Sequence, residues 1–400
     1  MADGAPWLTI IGLGEDGLKG LGDASREALE KAELVMGARR HLALLPGLDC
    51  AVIEWPVPFA DGIAGLLAQR GRAVVMLASG DPFWFGAGTS VTRHLDPGEW
   101  VALPAPSTFS QAAASLGWPL ENVACLGLHA APLTRLRPCL VAGARAVVLL
   151  RDGDAVAGLA RYLDGLGFGA SRMHVLEALG GPRARHRIAT AQGYALHDVA
   201  HPVAVGLEVA GDGRALPVTA GLPDDMFLHD GQITKRAVRA LTLSALAPRA
   251  GDLLWDIGSG SGSVGIEWLL AHPLNTATGF EADPQRAARA RENAATLGAD
   301  RLQVVEGRAP QVLRGQPLPD AVFIGGGLSE ALLTELWHLL PQGVRVVANA
   351  VTLESEALLG AWHRRAGGTL LRFDLAEAAA LGQKRGWRAA YPIVQWSVTR

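Results

Sequence analysis

The stretch Leu253-Leu254-Trp255-Asp256-Ile257-Gly258-Ser259-Gly260-Ser261-Gly262 constrains this chain more than any other. A short apolar run ends in glycines at alternate positions and passes into Val264-Gly265-Ile266-Glu267-Trp268-Leu269-Leu270, whose apolar residues recur at helical spacing. The pattern predicts a buried strand, a tight turn and a helix start. Glycine suits such a turn because its backbone adopts positive φ and lets a ligand approach with no Cβ in the way. The helix start offers free N–H groups and the positive end of the helix dipole to a carboxylate or phosphate.

The following strands narrow the reading. Thr276-Ala277-Thr278-Gly279-Phe280-Glu281 ends in a carboxylate about 20 residues past the glycines, where an acceptor for both ribose hydroxyls is expected. Leu302-Gln303-Val304-Val305 runs into Glu306-Gly307-Arg308-Ala309, a loop placed where an adenine ring would lie, and Asp320-Ala321-Val322-Phe323-Ile324 ends in Gly325-Gly326-Gly327. Four such strands predict a doubly wound α/β sheet with its ligand at the carboxyl ends. A nicotinamide-dependent dehydrogenase would instead want Gly-x-Gly-x-x-Gly with a diphosphate on the helix. A turn that only packs helix on sheet accounts for Gly265 better than for the other three glycines.

The first half repeats the theme. Trp7 to Gly14 reads as a strand entering Gly12-Leu13-Gly14, followed by a helix over about Ser25 to Val35 with Leu29, Ala32 and Leu34 on its apolar side. A buried strand over Arg72 to Ala78 breaks into Ser79-Gly80-Asp81-Pro82-Phe83-Trp84-Phe85-Gly86. Gly80 frees the backbone, Pro82 fixes φ, and Asp81 can hold local N–H groups. The three aromatics either wall a flat ligand or pack beneath a neighbour. Leu103-Pro104-Ala105-Pro106 then reads as a stiff crossing into a second lobe, opened by Ser107 and Thr108, which can cap a helix over Gln111 to Leu116; for Thr108 a cap alone is also a sufficient role. Strands follow near 123–128, 146–150, 174–176 and 203–208.

Turn formers over Ala210 to Pro217 mark a boundary, giving domains 1–210, with lobes of about 1–104 and 105–210, and 211–400. Just beyond it, His229 and Asp230 are either a base with its orienting carboxylate or ordinary loop residues. Thr234 is the expected N-cap of a helix carrying Val238, Leu241 and Ala245, with Lys235 beside it. The tail reads as strands 369–373 and 389–398 around Gln383-Lys384-Arg385-Gly386-Trp387, a loop that either meets an acidic flat substrate or simply closes a hairpin.

Several function classes are disfavoured. A formal net charge of -3 lacks the basic balance of a nucleic-acid binder. No apolar run reaches the ~18 residues of a membrane helix, and the first six residues lack a leader pattern; a cytoplasmic protein is expected. Cys50, Cys125 and Cys139 are widely spaced and odd in number, and the 11 histidines show no metal-ligand pairing, so no metal site is expected. The basic residues are nearly all arginine, whose forks suit a substrate bearing several carboxylates, although genome-wide composition bias accounts for the preference more simply.

Asp256 to Gly262 with Glu281 resembles the nucleotide-binding half of class I S-adenosylmethionine (SAM) methyltransferases, a Rossmann-like fold. Gly12-Leu13-Gly14, the Ser79 to Pro82 turn and Pro104 to Ser110 resemble the tetrapyrrole methylases, class III SAM-dependent enzymes with two α/β lobes and SAM in the cleft between them. Glu15 departs from that pattern, since many members carry proline there. The two together, with Ile233 to Arg236, Trp255 to Gly258 and Phe323 to Gly326, resemble the bifunctional, decarboxylating precorrin-6Y C5,15-methyltransferases of cobalamin biosynthesis over essentially the whole chain.

The resemblance implies methylation of precorrin-6B at carbons 5 and 15 with loss of the ring C acetate carboxyl, giving precorrin-8; similar enzymes act on the cobalt-containing substrate. It implies SAM binding by Gly12, Gly14, Ser79, Gly80, Asp81, Pro82, Ser107 and Thr108 in the first half. In the second it implies Thr234, Asp256, Gly258, Ser259, Gly260, Glu281, Gly307, Arg308 and Ala309, with His229, Asp230, Thr234 and Lys235 as catalytic candidates. A tetrapyrrole substrate and a homo-oligomer are expected, and neither nucleic acid nor membrane as partner. An RNA methyltransferase would want a base-flipping Asn-Pro-Pro-Tyr type motif, which is absent, and a SAM-sensing scaffold would keep the glycine loops without turnover.

Overall fold

The computed structural model describes residues 6–400; residues 1–5, on which most of the leader reading falls, lie outside the described residues. The chain divides into one unit of 1–133 with 139–214 and another of 134–138 with 215–400.

The first unit holds two five-stranded sheets. In the first lobe the strands are β1 (Leu8–Leu13), β2 (Leu34–Gly37), β3 (Ala51–Glu54), β4 (Val74–Ser79) and β5 (Trp100–Leu103), all parallel in the order β3-β2-β4-β1-β5. β1, β2 and β4 are almost wholly buried, as strands covered on both faces require. The expected helix over Ser25 to Val35 is corrected: it spans Asp23–Glu30, and Leu34 and Val35 belong to β2. Leu34, Val35 and Met36 are all buried, a continuous apolar run that suits a central strand rather than one face of a helix.

The second lobe adds β6 (Val123–Gly127), β7 (Arg145–Leu150), β8 (Arg172–Glu177), β9 (Arg185–Thr190) and β10 (Val203–Glu208), in the order β6-β7-β10-β8-β9. Only β6 and β7 run parallel; β10 is antiparallel to both neighbours.

In the second unit β11 (Leu253–Ile257), β12 (Thr276–Glu281), β13 (Leu302–Glu306), β14 (Ala321–Ile324) and β15 (Arg345–Ala350) are parallel. The chain then adds β16 (Thr369–Phe373), β17 (Ala376–Leu381), β18 (Lys384–Ala389) and β19 (Ile393–Thr399). The seven-stranded sheet has the order β13-β12-β11-β14-β15-β19-β16, β19 lying antiparallel between β15 and β16. The predicted 389–398 strand is therefore shorter, and Lys384 to Ala389 pairs with β17 in a separate hairpin turning at Gly382. Large apolar side chains fill both faces of the main sheet, with Leu254, Phe323 and Trp268 on one side and Trp255, Ile324 and Trp396 on the other.

The N-cap of the helix Arg236–Leu246 is Lys235, with no side-chain cap bond, which corrects the cap expected at Thr234. Arg239 explains the difference: its guanidinium takes the Thr234 carbonyl oxygen together with Glu267, so the side chain closes the first turn from within. Arg239 is fully buried, and Glu267 further accepts from the backbone N–H groups of Gly221, at 2.6 Å, and Leu222, at 2.9 Å.

Candidate active sites

The first site lies where β1 and β4 end side by side. Their parallel register sets Gly12 beside Ala78 and Leu13 beside Ser79, so both turns leave the carboxyl edge of the sheet together. The Gly80 N–H donates to the Leu13 carbonyl at 3.0 Å, and the Ala105 N–H donates to the Gly80 carbonyl at 3.1 Å. A Cβ on Gly12 would stand 1.9 Å from that Gly80 oxygen, so the three segments can meet only over a glycine. Gly80 has φ 53°, and Asp81 accepts from the Phe83 N–H at 2.8 Å, which turns the chain so that the aromatics emerge.

A cavity of about 410 Å³ opens there, lined by Gly14, Ser79 to Asp81, Ser107, Thr108, Trp84 and Phe85 among others. Trp84 packs on Phe109 at 4.9 Å between ring centroids, while Phe83 turns away onto Trp100. Two of the three aromatics thus wall the cavity and one packs. Ser107 rather than Thr108 caps the helix Thr108–Leu116, accepting from the Ser110 N–H at 3.0 Å, which leaves Thr108 in the cavity wall without the cap role.

Sequence reasoning passed over the charged wall of this cavity. Arg40 donates to Ser79 Oγ at 2.7 Å, to Glu15 Oε1 and toward His41 Nε2 at 2.9 Å, and His41 Nε2 lies 3.0 Å from Ser79 Oγ. Burial and the Arg40 charge push the His41 pKa down to about 3, so the ring is neutral at working pH. The available signal was Arg39-Arg40-His41, one residue past Gly37; reading Leu34 to Gly37 as a strand would have set these residues at the sheet's carboxyl edge.

The second site surrounds the end of β11. Gly258, Gly260 and Gly262 have φ of 70°, 57° and 74°, conformations that side-chain-bearing residues rarely adopt. The Gly258 and Ser259 N–H groups donate to the Phe280 carbonyl, and a Cβ on Gly258 would come within 2.6 Å of Gly326 Cα. Glu281 at the end of β12 accepts from the Gly260 N–H at 2.8 Å and the Asp283 N–H at 2.9 Å, and is 7% exposed. Its backbone oxygen receives the Gly307 N–H at 2.8 Å, which draws the Gly307-Arg308-Ala309 loop onto the same edge.

Asp256 Oδ2 accepts from the Gly265 N–H at 3.0 Å, whereas its Oδ1 is buried with no partner, as are Ser259 Oγ and Ser261 Oγ. Burial raises the Asp256 pKa to about 7, with the nearby Glu281 charge adding to the effect. Three orphaned polar atoms around one glycine turn are unusual, since buried polar groups are normally satisfied.

The catalytic candidates are not drawn into one cluster. Asp230 accepts from Arg286 at 2.9 Å, Arg289 at 2.8 Å and the Gln232 N–H, and these hold its carboxyl below the usual range, the Gln232 bond most strongly. His229 Nδ1 accepts from the Gly231 N–H instead. Lys235 is exposed, 3.9 Å from Asp224, and Thr234 is half-buried.

Each unit thus sets a glycine-built turn at the carboxyl edge of its own α/β sheet, and the comparisons with known proteins make the class a methyltransferase with two such domains. The description "Tetrapyrrole (Corrin/Porphyrin) Methylases" matches residues 8–194, and "Precorrin methyltransferase domain" matches residues 225–400. A precorrin-6Y C(5,15)-methyltransferase [decarboxylating] from Sinorhizobium sp is 49% identical over 99% of this chain and 97% of its own. A probable cobalt-precorrin-6B C(15)-methyltransferase (decarboxylating) from Pyrobaculum calidifontis is 34% identical over 42% of this chain and 88% of its own. The C-terminal domain of precorrin-6Y C5,15-methyltransferase from Rhodobacter capsulatus aligns at 53% identity and a TM-score of 0.45, covering 46% of this chain and 100% of that one. The chain belongs to the precorrin-6Y C5,15-methyltransferase (decarboxylating) family, and it is a methyltransferase. Among the described residues no helix is long and apolar enough to cross a membrane.

Proposed function

We propose that the protein methylates precorrin-6B at carbons 5 and 15 and removes the carboxyl of the ring C acetate, giving precorrin-8. The observation that carries this reading is the pairing of the whole chain, end to end, with a relative named for both methylations and the decarboxylation. Residues 1–210 are assigned the carbon 5 step and residues 211–400 the carbon 15 step with decarboxylation; the second assignment is supported by the likeness of that half to a relative named for carbon 15 alone.

S-adenosylmethionine, when bound, supplies a methyl group on a sulfonium. Its fit to the second unit is supported by the glycine cradle, the Glu281 carboxylate and the orphaned Asp256, Ser259 and Ser261 atoms. Glu281 is assigned the ribose hydroxyls, Gly307 to Ala309 the adenine edge, and Asp256, Gly258, Ser259 and Gly260, with Thr234 alongside, the amino-acid end. In the first unit Gly12, Gly14, Ser79 to Pro82, Ser107 and Thr108 are assigned the same ligand. The chain's task is alignment of the attacking carbon with the methyl group, which can be worth roughly 7–11 kcal/mol.

A proton leaves carbon 5 once it is methylated. In the second unit the conjugated imine system of the macrocycle accepts the electron pair released as carbon dioxide departs. His229, Asp230, Thr234 and Lys235 remain the candidates on this side, with Lys235 and His229 free of the arginine pairing that occupies Asp230. A cytoplasmic homo-oligomer completes the reading.

Mass spectrometry of precorrin-6B incubated with the protein and SAM tests it: two methyl groups are gained and one carbon dioxide is lost. A product gaining none overturns the reading. The cobalt-containing substrate is the second reading, favoured by the name of the Pyrobaculum relative; parallel assays with and without cobalt in the ring separate the two.

A further inference from the structure

Glu15 and Arg40 line the first cavity and, with Arg183, form an ion cluster outside the residues assigned to the methyl donor. Glu15 is 7% exposed and accepts with both carboxylate oxygens, Oε1 from Arg40 in the first lobe and Oε2 from Arg183 in the second, at 3.0 Å. Gly181 makes that approach possible, because a Cβ there would stand 2.6 Å from Glu15 Cβ and 2.7 Å from the Glu15 carbonyl oxygen. The Arg183 side chain is 61% exposed and that of Arg40 is 28% exposed, so the cluster is open to solvent chiefly at Arg183.

One carboxylate held between two arginine forks is the arrangement a bound acid would adopt. The Glu15–Arg183 pair reaches solvent at the arginine, where its net contribution is small, and holding the nearly buried Glu15 carboxylate costs desolvation that partly offsets its two ion pairs. An external carboxylate can therefore exchange for the internal one at small net cost. His41 and His201 line the same cavity and both have lowered pKa values, chiefly from burial and then from Arg40, so neither adds a competing cation. Asp152 is the other acid that acts on His201, and it is turned to the Ala155 N–H and Arg151.

We propose that Arg40 and Arg183 form the receptor for one peripheral carboxylate of the tetrapyrrole, and that Glu15 fills this receptor as a placeholder until the substrate displaces it. Arg40 also donates to Ser79, so the seated carboxylate would lie next to the turn assigned to the methyl donor and would fix which meso carbon faces it. The proposal rests on the reading that the first unit methylates a tetrapyrrole.

The test uses the full-length chain, saturating SAM and initial rates of carbon 5 methylation of precorrin-6B. Arg183→Gln is expected to raise KM about tenfold with kcat held within about twofold, the size of one charge-assisted hydrogen bond. Glu15→Gln, which keeps the shape and removes the charge, is expected to lower KM by about threefold or more by the same scale. A KM unmoved by Arg183→Gln, or unmoved or raised by Glu15→Gln, overturns the proposal while ordinary turnover leaves the parent reading standing. Absence of carbon 5 methylation by the unaltered chain overturns both. If Glu15→Gln fails to fold, Arg183→Gln alone decides, since its side chain is largely in solvent.

Discussion

The glycine turns of the two units look interchangeable in sequence and answer to different physics. Gly258, Gly260 and Gly262 are needed for their dihedral angles, all three lying at positive φ. Gly12 is needed for space: it ends a parallel strand, and what excludes a side chain is the Gly80 oxygen 1.9 Å from where a Cβ would sit. One cradle is a strained loop laid over a helix start, the other a seam where three backbones touch. A glycine-rich string therefore does not reveal which of its members tolerates replacement, or why.

The sharpest way to break this contrast is Gly12→Ala. Its Cβ meets backbone that no rotamer change relieves, so the first unit should lose more than about 3 kcal/mol, the upper end of overpacking costs. Carbon 5 methylation should vanish while carbon 15 methylation persists, read by product mass. Next comes Gly258→Ala, expected to cost about 1–2 kcal/mol for the left-handed backbone alone, with a further contribution from the contact to Gly326. Gly260→Ala, with nothing nearer than 3.9 Å, should show only the backbone part. Equal shifts in denaturant midpoint for the two variants would argue that dihedral strain is the whole effect.

Asp256 sharpens the second side of the comparison. A carboxyl whose folded pKa is raised from 3.8 to about 7 holds its proton better in the folded state. Stability of the second unit should therefore fall as pH rises between about 4 and 7, by a few kcal/mol (about 1.4 per pKa unit), and level off above. Asp256→Asn should flatten that slope in urea titrations. The smallest effect is expected from Glu281→Ala, with SAM binding weakened severalfold, or about 1 kcal/mol, in the second unit only. Calorimetry that finds both sites equally weakened, or neither, removes the ribose assignment.

Much of this was legible in the chain because the dominant signals are local. Leu253 to Gly262 shows its strand and turn in ten consecutive residues, and β12, β13 and β14 each end in a recognisable loop. Strands at sheet edges were harder to see. β9 reads Arg-His-Arg-Ile-Ala-Thr and is largely exposed, so it carries no apolar signature, and β3 offers only the three apolar residues Ala51 to Ile53, all of them exposed. β2 was hidden by its abutting helix, and with it went Arg40 and His41. The Glu15 clamp was invisible for a different reason: Arg183 is 168 positions away, and only the packing of Gly181 brings it back. Asp230 is turned away from His229 by Arg286 and Arg289, two helices and two strands further along.

Glu267 also bears on how the second half can be cut free. Its carboxylate, closed off from water, is held by Arg239 and by two amides donated from Gly221 and Leu222. The match to the precorrin methyltransferase description begins at residue 225, just past those donors. An expression fragment started there would strand an anion in the core with its arginine as sole charged neighbour, and so a soluble catalytic half has to begin upstream of Gly221.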